Sequence, residues 1–440
     1  RNKYYNMIGY KSALTIALLL GTTVASVQDH WAVLIAGSNT YSNYRHQADV
    51  FHAYQIVKAN GVPEDQIILF AYDDIAYDRS NPFPGQVFNQ PDGDDVYAGV
   101  KIDYSGKEVS SKNFLHVLKG EASAMKGVGT GKVLESNADS RVFVYYADHG
   151  AVGLVAMPSP FDVLYADDLN AALQDMYDNN MYKQLVFYLE ACESGSMFDG
   201  LLPENINVYA TTAANPTQSS YAAYCSNDVV DGVHIGSCLG DVYSVKWMED
   251  TDALGVDVAT LESQYETVKK QTRMSQVMEF GETGFKGEIV GNYQGNFDKE
   301  VFWFNILNKL KSSRFLSAPH EEADIDVVSS RDAKLASLYN MVLHRPSQEA
   351  HEALQAEIAH RLRVDSVFAQ IAEGKYSLDS SFPAPRNFSC LKQTINHYFE
   401  KCGDFTDYSL KYVKYFVMEC EADIPASLAT LQSRITAACQ

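Results

Sequence analysis

The sequence predicts an α/β domain, with a mainly parallel sheet flanked by helices, followed by a separate all-helical domain. Short apolar runs alternate with helix-like segments over residues 31–300. A polar, acidic stretch without periodicity then covers residues 317–330, and helical periodicity fills residues 331–440. Alternating strands and helices are typical of a parallel sheet covered on both faces, where functional groups gather at the carboxyl ends of the strands.

Each predicted strand is a short run rich in β-branched and aromatic residues and bounded by turn residues. These runs cover residues 31–36, 67–72, 142–146, 185–189 and 206–210. The predicted helices cover residues 48–60, 114–125 and 169–179 between the strands, and residues 350–363 and 408–420 near the C-terminus. From these patterns we predict a first domain at 26–312, a linker at 313–332 and a helical domain at 333–440.

The N-terminal segment indicates passage through the secretory pathway. From Met7 the chain has a short polar segment with one lysine, the apolar run 13–20, and small residues ending at Ala25. This order is typical of a signal peptide, so we predict that residues 1–25 are removed. An ordinary buried N-terminal helix is the alternative. The run is shorter than the roughly 20 residues that span a bilayer, and we expect no membrane span.

Composition and cysteine content narrow the class of protein further. The 440 residues carry a formal net charge of −21, which does not suit nucleic acid, because phosphates require a basic surface. Seven cysteines in an oxidising compartment leave at least one unpaired. Four of them lie in the last 51 residues and indicate two disulfides, while Cys225 and Cys238 could close a short loop. Cys192 is then the free thiol by elimination.

Two predicted strand ends carry the groups of a nucleophilic site. The third predicted strand runs into His149 and Gly150, and the fourth runs into Cys192. If the two strands are adjacent and parallel, the imidazole and the thiol leave the sheet at the same edge, where histidine can activate the thiol. The backbone N–H groups of Gly150 and Cys192 could then form an oxyanion hole. Taken singly, a core histidine and a buried cysteine are the alternatives.

Longer blocks around these residues resemble the legumain, or asparaginyl endopeptidase, family. The blocks are HWAVLIAGSN with NYRHQAD (30–49), ILFAYDDIAY (68–77), YYADHG (145–150), FYLEACESGSMF (187–198), NVYATTAANP (207–216) and GDVYSVKWMED (240–250). The resemblance extends from His30 to Cys439, and the loop 225–238 with the linker sequence VVSSRDAKL is most similar to plant vacuolar processing enzymes. It implies a caspase-like fold and a cysteine endopeptidase that cleaves after asparagine.

The resemblance implies a role for each matching residue. Cys192 would be the nucleophile and His149 the general base, while Asn43, otherwise a turn residue, would orient the imidazole. The substrate pocket would consist of Arg45, His46, Glu190, Ser220 and Asp241. Guanidinium donors and carboxylate acceptors together match the primary amide of asparagine. Aspartate would be accepted only at a pH low enough to protonate it or a pocket carboxylate. A cluster of ion pairs on the protein surface is the alternative.

The helical domain resembles the prodomain of the family, which covers the active site of the precursor. The resemblance implies the disulfides Cys390–Cys420 and Cys402–Cys439. Self-cleavage in the linker requires asparagine or aspartate, and the candidates are Asp324, Asp326, Asp332 and Asn340. A glycosylation sequon begins at Asn387. We expect acid to release the domain by protonating carboxylates of the core and four histidines. These are His344, His351, His360 and His397.

The expected partners are peptide or protein substrates with exposed asparagine, the chain's own prodomain as an inhibitor, and cystatin-type inhibitors. No cofactor, metal or nucleic acid is expected. The acidic segment 92–95 lacks the rest of a calcium-binding loop and is predicted to be a solvated turn. The expected location is a lysosome-like or vacuolar compartment, or the extracellular space. The sequence predicts entry into the secretory pathway but does not distinguish among these destinations.

Three other functions stay open. An incoming amine that captures the same acyl-enzyme would make the protein an asparaginyl transpeptidase or ligase. The catalytic subunit of the glycolipid-anchor transamidase has a similar dyad but normally carries a C-terminal membrane segment. A catalytically silent homologue would act as a binding module, although the intact set of candidate residues argues against it.

Overall fold

The computed structural model describes residues 29–295, 325–379, 381–422 and 428–440. The predicted signal peptide and the cleavage candidate Asp324 lie outside these residues. In chain order the strands are β1 (His30–Ala36), β2 (Ile67–Phe70), β3 (Arg141–Ala147), β4 (Gly150–Ala151), β5 (Leu154–Ala156), β6 (Val163–Tyr165), β7 (Gln184–Glu190), β8 (Val208–Thr212), β9 (Tyr221–Ala223), β10 (Val229–Val230), β11 (Val233–His234), β12 (Gly240–Asp241), β13 (Met278–Gly281) and β14 (Val327–Ser329). The helices are α1 (Tyr44–Ala59), α2 (Ser111–Leu118), α3 (Ala166–Asp178), α4 (Val242–Leu254), α5 (Leu261–Gln271), α6 (Gly291–Gln294), α7 (Ala333–His344), α8 (Gln348–Ala372), α9 (Phe388–Cys402), α10 (Val413–Cys420) and α11 (Leu428–Ala438).

Six strands form the main sheet in the order β13-β8-β7-β3-β1-β2. Every neighbouring pair is parallel except β13 and β8, which are antiparallel. Both faces are covered. Val33 and Ile35 of β1 pack into a core that α2 and α3 complete, while Ala32 and Leu34 pack into one completed by α1, α4 and α5. The predicted sheet is therefore confirmed, and its strands are apolar on both faces because helices cover both.

The C-terminal domain is all-helical, as predicted, and it shares a core with the sheet domain. Phe388 and Ile395 of α9 and Phe416 of α10 belong to the same buried cluster as the α2–α3 face of the sheet. The disulfides in the structure are Cys390–Cys420 and Cys402–Cys439, the pairs that the resemblance implies, and Cys225–Cys238, which closes the short loop predicted from the spacing. Asn387 is exposed at the start of α9 and accepts a hydrogen bond from the Cys390 N–H.

Some element boundaries differ from the predictions. Helix α2 ends at Leu118 rather than near residue 125, because Gly120 adopts a φ of +66° that ends the helix. The segment predicted as a helix at 408–420 begins with a 3₁₀ turn, Ser409–Tyr412, before α10. Among the residues that the structure describes, no helix is both long enough and apolar enough to cross a membrane.

The linker is the largest departure from the sequence analysis. Residues 317–330 were expected to be an irregular linker, but β14 within them pairs antiparallel with β9 of the sheet domain. Residue 328 lies opposite residue 222 in this pairing. The pairing uses backbone groups that only the folded sheet domain brings within reach. Local periodicity therefore does not predict this strand.

Candidate active site

The strands β3 and β7 place His149 and Cys192 at one edge of the sheet. They are adjacent and parallel, with Ala147 opposite Glu190, as the sequence analysis required. The Asp148 N–H extends the pairing by donating to the Glu190 carbonyl at 3.0 Å. The chain after each strand then leaves in the same direction, which brings the imidazole and the thiol to the same region.

Asn43 holds the imidazole of His149 in one orientation. The Asn43 Nδ2 donates to the Asn39 carbonyl at 3.1 Å, which turns its Oδ1 toward His149 Nε2 at 2.9 Å. Because this oxygen only accepts, the imidazole proton belongs on Nε2. The buried Nδ1 has no hydrogen-bond partner among the described residues and keeps a free lone pair. Burial, with the Arg45 charge in addition, lowers the pKa of His149 to about 3.

The Cys192 thiol is fully buried next to Ser220. The Ser220 N–H donates to Sγ at 3.4 Å, and its Oγ lies 3.6 Å from Sγ. Burial raises the pKa of the thiol, although the Arg331 guanidinium opposes part of this effect. Residue 150 must be glycine here, because a Cβ on Gly150 would lie 2.3 Å from the Cys192 carbonyl oxygen. The Cys192 backbone carbonyl therefore lies against the Gly150 backbone, and the neutral thiol lies against Ser220.

A charged pocket adjoins this thiol and contains the predicted substrate residues. Arg45 Nε donates to Asp241 Oδ1 at 2.9 Å, and both side chains are buried. Glu190 Oε2 accepts bonds from the Ser244 N–H and hydroxyl at 3.1 and 3.0 Å. His46 bonds to the Ser38 hydroxyl at 2.7 Å. The structure therefore brings together the residues that the sequence placed far apart along the chain.

Three polar atoms of this pocket make no hydrogen bond among the described residues, although Asp241 Oδ2 lies 3.5 Å from His46 Nε2. Arg45 Nη2, Glu190 Oε1 and Asp241 Oδ2 are buried and make no hydrogen bond to any described residue. Burial and the neighbouring Asp241 charge raise the pKa of Glu190 well above its usual range. Unsatisfied buried polar atoms are unfavourable, so a ligand that bonds to all three atoms would be stabilised here. One donor with two acceptors is the complement of a primary amide.

In this structure the chain's own linker occupies the pocket. After β14, the Ser330 N–H donates to the Ser220 carbonyl at 3.0 Å. The Ser330 hydroxyl lies 3.0 Å from the Ser220 hydroxyl and 3.5 Å from Asp241 Oδ1. An extended segment that pairs with a strand edge and sends one side chain into a pocket binds as an extended peptide would.

Arg331 and Asp407 cover the thiol and the imidazole. Arg331 is buried and donates to Glu193 at 2.7 Å, to the Gly150 carbonyl, and to the Asp407 carbonyl at 3.1 Å. The Asp407 carboxylate lies 3.3 Å from His149 Nε2. Linker and helical domain therefore close the site together, since each contributes a charged side chain to it.

Of the four cleavage candidates, the three described ones are held by contacts. The Asp326 carbonyl accepts from the Tyr224 N–H at 3.2 Å, and Asp332 pairs with Arg361. Asn340 lies inside α7 and donates to the Cys225 carbonyl at 2.7 Å. Cleavage after any of these three residues requires the contacts that hold it to break first.

The sequence analysis missed the residues that close the site. These are Glu193, Ser330, Arg331 and Asp407. Glu193 follows the candidate nucleophile directly, which was a local signal, whereas the two β-branched residues in VVSSR are too short a run to predict a strand. Asp407 had no such signal, because its role depends on how the helical domain packs against the sheet domain.

One cluster has the spacing of a metal site. Among the described residues, only His46, Asp148 and His149 have potential ligand atoms all within 4.8 Å of one another. Burial and the Arg45 charge lower the pKa of both imidazoles. The same guanidinium repels a cation, so we assign no metal to this cluster.

A buried free thiol and an imidazole lie at one sheet edge beneath a C-terminal cover, which is the arrangement expected of a cysteine peptidase in its precursor form. Residues 30–296 match the Peptidase C13 family, and residues 352–439 match the legumain prodomain. The chain therefore belongs to the Peptidase C13 family.

Relatives extend the match over nearly the whole chain. A vacuolar-processing enzyme of Vicia sativa is 41% identical over 420 residues, which cover 90% of this chain and 83% of that protein. A legumain of Homo sapiens is 38% identical over 438 residues, which cover 94% and 96%. Among solved structures, caspase-1 from Spodoptera frugiperda has a TM-score of 0.36 at 11% identity and covers 62% of this chain and 93% of that one.

Proposed function

We propose that the protein is the zymogen of an endopeptidase that hydrolyses peptide bonds after asparagine. The observation that carries the proposal is the set of unpartnered atoms on Arg45, Glu190 and Asp241, which complements a primary amide. The test is acid treatment of the precursor followed by fluorogenic peptides that end in Asn, Asp or Ala before the reporter. Selective release after Asn supports the proposal, and equal release after Asn and Ala contradicts it.

In the proposed reaction, Cys192 and His149 act as nucleophile and base. The free Nδ1 of His149 takes the thiol proton, and the thiolate adds to the carbonyl carbon of the scissile bond. The backbone N–H groups of Gly150 and Cys192 stabilise the oxyanion. The imidazolium then protonates the leaving amine as the C–N bond breaks. Water, deprotonated by His149, hydrolyses the thioester and restores the thiol.

The pocket also explains the proposed dependence of specificity on pH. The amide NH₂ of asparagine donates to the free oxygens of Glu190 and Asp241, and its carbonyl accepts from Arg45 Nη2. An aspartate side chain would place a third negative charge against these two carboxylates. Burial raises the pKa of Glu190, and its protonated form, which becomes more populated as the pH falls, can donate to an aspartate oxygen. Cleavage after Asp is therefore confined to acid pH.

The proposed location is a vacuolar or lysosome-like compartment reached through the secretory pathway. The name of the Vicia sativa relative, vacuolar-processing enzyme, supports a vacuole. The three disulfides are consistent with folding in an oxidising compartment. The proposed partners are proteins with exposed asparagine and cystatin-type inhibitors that occupy the same cleft.

Acid release of the cover is proposed to act mainly through the active site. Of the four histidines expected to respond, His360 bonds to Thr406 and His397 bonds to Thr436, both inside the helical domain. His351 bonds to the Ser347 carbonyl within its own helix. His344 alone of the four has a ring contact with the sheet domain, where it stacks on His234 at 4.0 Å.

The sign of the acid effect follows from His149. Its pKa is about 3 in the closed structure, against 6.5 for an exposed histidine. Below about pH 6.5 the His149 imidazole is protonated when the site is open but stays neutral when the site is closed. Each further pH unit of acid therefore favours opening by about 1.4 kcal/mol. Burial of Glu190 raises its pKa and acts in the opposite direction. An experiment must therefore separate the contribution of the His149 imidazole from that of Glu190.

We expect the hydrogen-exchange protection of β14 in a Cys192→Ala precursor to fall as the pH drops from 6 to 4, by at most about tenfold per pH unit because Glu190 acts against His149, after correction for intrinsic rates. This variant cannot cleave itself, so only opening is measured. Adding His149→Gln removes the titrating group and should flatten the dependence. An equal slope in both variants would show that His149 does not drive the opening.

We expect Ser330→Asn to convert the pocket occupant into a substrate. Asparagine at this position supplies the amide that serine lacks, so acid processing should accelerate by roughly tenfold or more. Mass spectrometry should find a new C-terminus at residue 330. Ser329→Asn is the control, because its side chain lies on the other side of the extended segment. Unchanged processing of Ser330→Asn would contradict the assignment of the pocket.

A further inference from the structure

A carboxylate next to the nucleophile has no part in the proposed reaction. Glu193 follows Cys192 directly, and its side chain is only 9% exposed. Its N–H donates to the Gln218 carbonyl at 2.7 Å, and its φ of +49° lies in the left-handed region. This conformation is uncommon for glutamate, and residues held in it concentrate at functional sites. The proposed asparagine pocket does not use the Glu193 carboxylate either.

In the closed structure the cations that neutralise Glu193 come from the cover. Its carboxylate accepts from Arg331 Nη2 at 2.7 Å, and both side chains are buried. Burial raises the pKa of Glu193, while the charges of Arg331 and Lys414 lower it. Arg331 lies in the linker and Lys414 in α10, so opening of the site removes both cations. A buried carboxylate without a cation is unfavourable, and a substrate that covers Glu193 again should therefore supply one.

Arg331 stands where the residue after a cleaved asparagine would stand. Strand β14 pairs antiparallel with β9, and the Ser330 N–H donates to the Ser220 carbonyl at 3.0 Å while the Ser330 hydroxyl enters the pocket. A substrate that binds in the same register places its asparagine at the position of Ser330. The next residue, which is the first of the leaving peptide, then takes the position of Arg331. Its side chain can therefore reach Glu193.

The contacts of Arg331 indicate which side chain fits this position. Nη2 donates to Glu193 and to the Gly150 carbonyl, and Nη1 donates to the Asp407 carbonyl at 3.1 Å. Asp407 leaves with the cover, but Glu193 and Gly150 belong to the sheet domain and remain. Arginine can donate to both of these acceptors, lysine supplies the same charge with a less fixed geometry, and an acidic side chain is repelled.

We propose that Glu193 forms a subsite for a basic side chain, arginine or lysine, at the residue that directly follows the cleaved asparagine. The inference rests on the proposed cleavage after asparagine and adds a second position to the recognised sequence. The asparagine sites of a substrate protein are then cleaved unequally, according to the residue that follows each of them.

The test uses internally quenched peptides that differ only in the residue after asparagine, which is Arg, Lys, Gln or Glu, and the acid-activated wild type. Relative to the Gln peptide, kcat/KM should be roughly tenfold higher for Arg and roughly tenfold lower for Glu, because a charge-assisted hydrogen bond is gained or a repulsion is added. The Lys peptide should lie between Arg and Gln. Arginine placed one residue further along should give no gain. Equal kcat/KM across the set would overturn the proposal.

A charge-neutral variant assigns the preference to Glu193. Glu193→Gln keeps the size of the side chain, so the ratio of kcat/KM between the Arg and Gln peptides should fall to within about twofold. Glu204→Gln changes an exposed carboxylate of the sheet domain and is the matched control, which should keep the wild-type ratio. A merely structural role of Glu193 would lower kcat/KM equally for all peptides. An unchanged ratio in Glu193→Gln would therefore contradict the assignment.

The outcomes separate this inference from the proposed function. If the wild type cleaves none of the peptides after asparagine, the proposed function is rejected. If it cleaves all of them after asparagine at one rate, the proposed function stands and only the subsite is rejected. The wild-type set decides between these outcomes even if Glu193→Gln does not fold.

Discussion

Replacement of Cys192 by alanine is expected to lower kcat for Asn peptides by roughly 10⁵-fold or more, because the thiol forms the acyl-enzyme and no other group can replace it. Among the described cysteines it is the only free one, since the other six form disulfides. The measurement is hydrolysis of the Asn peptide after acid treatment, with the melting temperature as a check of folding.

The variant also provides its own positive control. If the fold is intact, a small amount of active wild-type enzyme should still cleave the linker of the Cys192→Ala precursor in trans. A precursor that is neither active nor cleaved in trans would indicate misfolding. A folded variant with unchanged hydrolysis after Asn would show that Cys192 is not the nucleophile.

Replacement of Arg45 by lysine is expected to lower kcat/KM for the Asn peptide by roughly 10²- to 10⁴-fold. Lysine keeps the buried positive charge that Asp241 requires but lacks the planar guanidinium, whose N–H groups donate to two partners at once. Two charge-assisted hydrogen bonds are affected, the bond to Asp241 and the bond from Nη2 to the substrate, each worth about 1.5–3 kcal/mol. Steady-state kinetics with peptides ending in Asn and Ala measure the effect.

Two comparisons make the Arg45 result specific. Arg79→Lys changes an exposed arginine that pairs with Glu349 and should leave the kinetics unchanged. The slow cleavage after Ala should fall far less in Arg45→Lys than cleavage after Asn, because alanine has no amide to bind. An equal loss for both peptides would show that Arg45 supports the whole site and does not select the side chain.

Local patterns were sufficient for the sheet and for the two strand ends. The strands β1, β3 and β7 were predicted to within one residue at each end, because buried parallel strands are continuous apolar runs. The position of His149 and Cys192 at the same sheet edge followed from the topology of such a sheet. The end of α2 was wrong by seven residues, since a single glycine in a left-handed conformation outweighed the helical pattern.

The sequence alone determined the fold class, the family and the candidate nucleophile with its base, since these depend on short motifs and on periodicity along the chain. Only the tertiary structure decided what closes the site. Ser330 enters the pocket, and Arg331 and Asp407 cover the thiol and the imidazole. These contacts join segments distant in the chain, and their energies depend on burial and charge pairing, which exist only once the two domains have packed together.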